Sequence, residues 1–404
     1  MDKVLLLGNN LHVDKIIELL KKRGMYSIVT DNLSLEDSPV KKMADEYWDI
    51  SVMDIDGLEE KCRKEGINAV LCGASEVCME ANKLLCKRLG LPFYVSDRAY
   101  EIVNDKQLFK NECRKYGIPV AADYELSIDF NTEDLKKISY PVVVKPVDGG
   151  YSLGMHLCYT EEELIEGYKD AYDKSSAKKV VVEKYYSGEE IMVLLVFSNG
   201  KATVIESSEV FGEKQKGYPF LIGCTPTKYM SVIEEKILNP AKEMFKDMGC
   251  LEGIGSIQCV MEKGELAVIE MNYRLPGAKI MNQEYICNKA IDFALYGKSE
   301  QEYDLMVSPS TYGYAIWLKK GVISKISGVD VICDKIKMVP SPQNKKVGDE
   351  VVANSGLRQI FKIVTILGGS QKDLAEAIRI INDNLTVLDE NGNDMVYRYQ
   401  YDPE

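Results

Sequence analysis

The stretch Val268-Ile269-Glu270-Met271-Asn272-Tyr273-Arg274 decides how this chain is read. Apolar and polar residues alternate along it, the period of a strand with one face buried. Glu270, Asn272 and Arg274 therefore share a face. Upstream, Ser256-Ile257-Gln258-Cys259-Val260 has the same character, and a Lys263-Gly264 turn separates the two runs. The strands predicted over 252–260 and 266–272 should pair antiparallel, which brings Gln258 close to Glu270. Gln258, Glu270 and Asn272 then offer three oxygen ligands on one surface. That set suits Mg²⁺, which prefers hard oxygens and keeps waters and phosphates as its other ligands. Arg274, further along the same face, can reach an oxyanion as it develops. A solvated strand edge does not explain an acid, an amide and an arginine alternating behind an apolar strand.

Two stretches further upstream fit the same chemistry. A strand over Val142–Lys145 ends at Pro146 and runs into a loop carrying Gly149, Gly150, Ser152 and Gly154. Glycines let successive N–H groups converge on one anion, and Lys145 adds a point charge, a pairing that suits a polyphosphate. The GxxxxGK[ST] pattern is absent, so this is not a Walker A loop. The run Val180-Val181-Val182-Glu183-Lys184-Tyr185-Tyr186-Ser187-Gly188-Glu189-Glu190 is an apolar strand leading into an acid, an aromatic hinge and more acids. Backbone groups of such a hinge can read an adenine edge, and Glu190 can accept from ribose hydroxyls. Taken alone it also reads as a solvated charged turn.

Working outward, the first ninety or so residues alternate strand and helix as βαβαβα, which implies a parallel sheet with helices on both faces. Gly8-Asn9-Asn10 lacks the GxGxxG glycines, so a nicotinamide site is not expected, and Asp31 reads as a turn residue. Residues 209–227 mix Gly, Pro, Lys and aromatics without a period, as a mobile or binding loop would. From about Ser299, short strands and a helix over 372–384 form a small α+β unit.

Composition narrows the partners. The 404 residues hold 50 basic and 63 acidic side chains, a net charge of −13. Such a surface repels nucleic acid and anionic lipid. Eleven cysteines without a CxxC pair fit reduced thiols in a cytoplasm better than a disulfide framework. Two histidines exclude a multi-histidine metal site. No apolar run reaches the roughly 18 residues of a membrane span, and the N-terminal run is too short for a signal peptide.

The order Lys106, Lys145-Pro146, the glycine-rich loop, EKYYSGEE and EMNYR resembles the ATP-grasp superfamily over essentially the whole chain. The resemblance implies a mixed α/β and α+β fold. A Rossmann-like domain would span 1–95, an ATP-grasp domain 96–298 with a lid at about 120–187, and an α+β domain 299–404. Lys106 would touch the α-phosphate and Lys145 the α- and β-phosphates. The loop of Gly149, Gly150, Ser152 and Gly154 would close over the β- and γ-phosphates. Glu183 would bind the adenine amino group, the backbone of Lys184, Tyr185 and Tyr186 would form the hinge, Glu190 would hold the ribose, and Val260 would pack under the base. Gln258, Glu270 and Asn272 would bind Mg²⁺ or Mn²⁺, and Arg274 would stabilise the acyl phosphate or the tetrahedral intermediate.

The sequence departs from the family at two positions. Most members carry an acid where Gln258 stands, which should weaken one of two metals, and Tyr151 is bulkier than usual. The branch follows from Arg274-Leu275-Pro276-Gly277. No glutamine–valine–glutamate run follows the arginine, unlike biotin carboxylase. There is no second ATP-grasp copy, unlike carbamoyl phosphate synthetase. Arg-x-x-Gly is similar to glycinamide ribonucleotide synthetase and the L-amino-acid ligases, although the histidine that the latter carry in the 209–227 loop is missing. The resemblance thus implies a ligase joining a carboxylate, with an amino acid as one substrate, to an amine. ATP and a divalent metal are the cofactors, small molecules the partners, and a homodimer the assembly considered. The alternatives are a glycinamide-ribonucleotide-like or carboxylating ligase, and a nucleotide-binding protein without turnover.

Overall fold

The computed structural model describes all residues except 149–153, 212–213, 216–217, 220–221, 279, 307–309, 340, 354–355 and 403–404. The N-terminal sheet is wholly parallel, in the order Glu46–Trp48, Tyr26–Thr30, Lys3–Leu7, Ala69–Cys72. Its central strands are buried along nearly their whole length, as expected for strands covered by helices on both faces. Helices Val13–Lys22, Ile55–Glu65 and Glu76–Leu89 supply that cover. The alternation read from the sequence omits the short helix Pro39–Met43 and the edge strand Glu46–Trp48. Three residues are too few to show a period, and parallel pairing to Tyr26–Thr30 is what makes them a strand. Asp31 is a structural turn residue: its carboxylate accepts from Leu33 N and Ser38 Oγ and pairs with the buried Lys41.

A second, antiparallel sheet is ordered Asp123–Tyr124, Val180–Lys184, Val142–Pro146, His156–Cys158. Val142, Val144 and Val182 turn into a small core with Leu135, Leu164 and Tyr168, closed by helix Glu161–Lys174. Strand alternation therefore sends Val143, Lys145 and Glu183 to the other face.

The central sheet has seven strands, in the order Glu265–Asn272, Gly253–Glu262, Glu189–Ser198, Lys201–Phe211, Ile222–Thr225, Thr311–Trp317, Ile360–Leu367. Here the structure corrects the reading of 209–227 as a loop. Strand Lys201–Phe211 runs through its start, and Ile222–Thr225 returns antiparallel to it, Glu209 opposite Cys224. The returning strand then pairs with Thr311–Trp317. A C-terminal core of Tyr314, Trp317, Phe361, Leu374 and Ile381 forms beyond it. The expected boundary at 298/299 thus separates two cores while one sheet runs across it. Residues 230–248 are helical throughout, but a π-turn at Glu234–Leu238 interrupts the α-helix. It lies directly before Asn239-Pro240, where the missing proline N–H ends the regular ladder. No helix among the described residues is long and apolar enough to cross a membrane.

Candidate functional site

The strand pair that opened the sequence reading forms with the expected register. Gln258 stands opposite Glu270 and Ser256 opposite Asn272, with a bulge between Gln258 and Cys259. Ile257, Cys259 and Met271 are buried in the main core, so the polar positions occupy the other face. Asn272 Nδ2 donates to Glu270 Oε1 at 3.3 Å. This face carries three oxygen-bearing side chains from two adjacent strands but only one formal negative charge. Among the described residues no cluster of three His, Cys, Asp or Glu offers a richer metal site. Hard oxygens of this kind fit one Mg²⁺ whose remaining ligands are waters and phosphates.

Further along the same face, Val260 lies opposite Glu190, and Glu190 opposite Val210. Val260 is buried with Ala121 and Ala267, and Tyr186 and Ile269 pack on them. An apolar bed and an exposed acid therefore sit side by side where the hinge crosses the sheet. The hinge is pinned at its far end: Ser187 donates from N and Oγ to Glu262 Oε1, at 2.8 and 2.6 Å. Gly188 passes so close to the neighbouring strand that a Cβ there would lie 1.9 Å from Met261 O. Two hinge amides are already committed. Lys184 N donates to Ala122 O and Tyr185 N to Pro141 O. These two N–H groups complete the edge of the sheet over 123–184, so any reading of an adenine edge by this backbone falls to the carbonyls of Lys184 and Tyr185 and to Tyr186.

Lys145 and Glu183 were read as separate contacts, one for phosphate and one for the base. The structure joins them in an ion pair. A second lysine, Lys110, donates to the other carboxylate oxygen at 2.7 Å. All three are buried, with relative exposures of 7% for Lys145, 4% for Glu183 and 0% for Lys110. Burial alone pushes the Glu183 carboxyl up, but the two ammonium groups outweigh it and hold it below the usual carboxylate range. Lys110 was missed by the sequence reading. The signal was present: it follows Lys106 by four residues, one turn along helix Lys106–Lys115, which Asp105 caps. The helix start is tied to the end of strand Val142–Pro146 by Lys106 N donating to Val147 O. Gly149, Gly150 and Ser152 lie outside the described residues. Gly154 has a φ of +73° and abuts Pro146 and Lys174.

Arg274 lies just beyond the strand end. Its Nη2 is 3.1 Å from Glu76 Oε1, and its Nη1 donates to Leu275 O. Glu76 opens helix Glu76–Leu89, next to its N-cap Ser75, at the carboxyl end of the parallel sheet. Open α/β sheets bind ligands in that position. Met79, Tyr100, Val103, Asn104 and Asn272 line the same crevice. Glu76 was not foreseen. Nor was Glu206, which a bulge in its strand turns to lie opposite Leu194, in the row that continues through Ser256 to Asn272. It accepts from Met281 N, and burial pushes its carboxyl up.

Comparison with known proteins agrees with this geometry. Residues 105–285 match the family described as carbamoyl-phosphate synthase L chain, ATP binding domain. The carbamoyl phosphate synthase large chain of Clostridium botulinum is 27% identical over 265 residues, 64% of this chain and 24% of that protein. The chain thus spans about a quarter of that relative. A D-alanine–D-alanine ligase of Bacillus anthracis is 28% identical over 212 residues, covering 51% of this chain and 67% of the ligase. The L-amino acid ligase of Bacillus licheniformis superposes with a TM-score of 0.75 at 16% identity, over 97% of this chain and 99% of that one. Phosphoribosylglycinamide synthetase of Anaerococcus prevotii superposes with a TM-score of 0.66 at 17% identity, over 96% and 100%. Residues 105–285 are thus similar to the ATP-binding domain of the carbamoyl-phosphate synthase L chain, and the chain shares its fold with the L-amino acid ligase and phosphoribosylglycinamide synthetase.

Proposed function

We propose that the protein is an ATP-dependent ligase that joins a small carboxylate to an amine through an acyl phosphate, with an amino acid as one substrate. The observation that carries this reading is the shared face of the central sheet. Gln258, Glu270 and Asn272 stand beside Glu190 and the Val260–Tyr186 bed, and the strand's next face position leads to Arg274 at the mouth of the N-terminal crevice.

In this reading the base of ATP lies on Val260 and Tyr186, Glu190 holds the ribose, and Lys106 and Lys145 meet the phosphates. The loop of Gly149, Gly150, Ser152 and Gly154 covers the phosphate tail. Gln258, Glu270 and Asn272 hold Mg²⁺, which when bound neutralises phosphate charge; Mn²⁺ satisfies the same donors. A carboxylate oxygen attacks the γ-phosphorus and ADP leaves. The amine nitrogen then attacks the acyl carbon, inorganic phosphate leaves, and the nitrogen gives up a proton. Arg274 faces the reacting carboxyl, where a donor aimed at growing negative charge lowers the barrier. The protein's contribution is positioning and charge neutralisation, so no histidine base is required. Release of ADP from ATP with paired carboxylates and amines, including pairs of amino acids, tests the proposal. Bicarbonate tested as the carboxyl donor separates it from a carboxylating ligase.

A further inference from the structure

We infer that Lys110 is a positioning residue for nucleotide binding: it keeps the Glu183 carboxylate held when the phosphates of ATP take Lys145. The inference rests on the ATP-binding reading above. Glu183 has both oxygens engaged, Oε2 by Lys110 and Oε1 by Lys145. The two lysines differ in reach. The Lys110 side chain is wholly buried, whereas that of Lys145 keeps a small opening to solvent, on the strand that leads into the glycine-rich loop. Lys145 is therefore the one that can exchange a carboxylate for a phosphate.

That exchange has a consequence for Glu183. A carboxylate buried without a cation takes up a proton rather than stay charged. Among the described residues the groups facing it are few. Lys145 and Val143 lie on one neighbouring strand, and Lys110 on the helix packed against it. Its cross-strand partner on the other side is Asp123, which Gln107 and Arg114 hold, so that acid supplies no cation. Once Lys145 moves to the phosphates, Lys110 stays as the cation bonded to Glu183 among the described residues. It keeps the carboxylate ionised and in place beside the hinge.

Calorimetric titration of MgATP, without co-substrates and in buffers of different ionisation enthalpy, counts the protons taken up on binding. Subtracting the wild-type count removes the protons that belong to ATP itself. Lys110→Met should bind ATP at least about tenfold more weakly at neutral pH. It should recover affinity as the pH is lowered and take up close to one proton more than wild type. Lys110→Arg should behave as wild type. Adding Glu183→Gln to Lys110→Met should abolish the extra proton. Lys110→Gln, which keeps a hydrogen bond to Glu183, serves if the methionine variant does not fold. An unchanged proton count and pH dependence, with only a lower melting temperature, would overturn the inference and leave Lys110 a structural pin. Failure of wild type to bind MgATP would instead refute the ATP-binding reading itself.

Discussion

Arg274 and Glu76, 198 residues apart in sequence, meet as an ion pair between the end of a central-sheet strand and the first turn of a helix in the N-terminal domain. The pair is partly exposed and lines a crevice, so its arginine is presented rather than sealed. Arg274→Ala should leave ATP affinity near wild type and lower ligase turnover by roughly 10²–10³, the usual contribution of one donor aimed at developing charge. Lysine should rescue only in part, because it lacks the planar fork. A surface ion pair alone would cost at most about 1 kcal/mol of stability, so turnover and melting temperature measured together separate the two roles.

The proposed metal site makes a prediction in the opposite direction. Glu270 supplies its single formal charge and Gln258 stands directly opposite. Gln258→Glu should tighten Mg²⁺ binding in the presence of nucleotide, and Glu270→Gln should weaken it by at least about tenfold, the loss of a charged ligand contact. Excess chelator should abolish turnover. Isothermal titration of Mg²⁺ and initial rates check all three, and full activity in chelator would remove these residues from the metal site.

Gly188 is a stability prediction at the hinge. A methyl group there would meet the carbonyl of Met261, a backbone atom that cannot step aside. Gly188→Ala should destabilise the fold by about 1–3 kcal/mol, as overpacking commonly does, and weaken ATP binding as the Ser187–Glu262 clamp shifts. Chemical denaturation and nucleotide titration measure the two effects.

Thiol chemistry gives a pH test. Burial pushes the thiols of Cys62, Cys86, Cys113, Cys250 and Cys259 up to about 12. At pH 8 they stay protonated as well as covered, and only the thiolate is nucleophilic. Cys333 is exposed. Brief alkylation of the folded protein at pH 8 should modify Cys333 and leave those five unmodified, whereas denatured protein should react at all of them. Peptide mass spectrometry reads the outcome.

How much of this was legible in the sequence depends on how far each signal reaches. The antiparallel pair carrying Gln258, Glu270 and Asn272 is written in adjacent residues, by alternation and a two-residue turn, so even its register was readable. The Val260 bed beside Glu190 followed from the resemblance. Contacts between distant segments left no local trace. Lys110 reaches Glu183 across 73 residues, and Glu76 reaches Arg274 across 198. Ile222–Thr225 is a strand because Thr311–Trp317 is there to pair with it, in a stretch whose own composition shows no period. Which backbone groups of the hinge are already engaged is equally hidden, because a sequence cannot show that Ala122 and Pro141 accept from Lys184 N and Tyr185 N.

The central claim is acyl-phosphate chemistry at the expense of ATP, and hydroxylamine tests it most directly. The protein is incubated with MgATP, a panel of amino acids and other small carboxylates, and hydroxylamine in place of the amine. The account predicts an acyl hydroxamate from at least one carboxylate, with ADP and inorganic phosphate formed in equal amount, and loss of all three products in Arg274→Ala. Formation of AMP and pyrophosphate instead, or hydroxamate without ATP consumption, would contradict it.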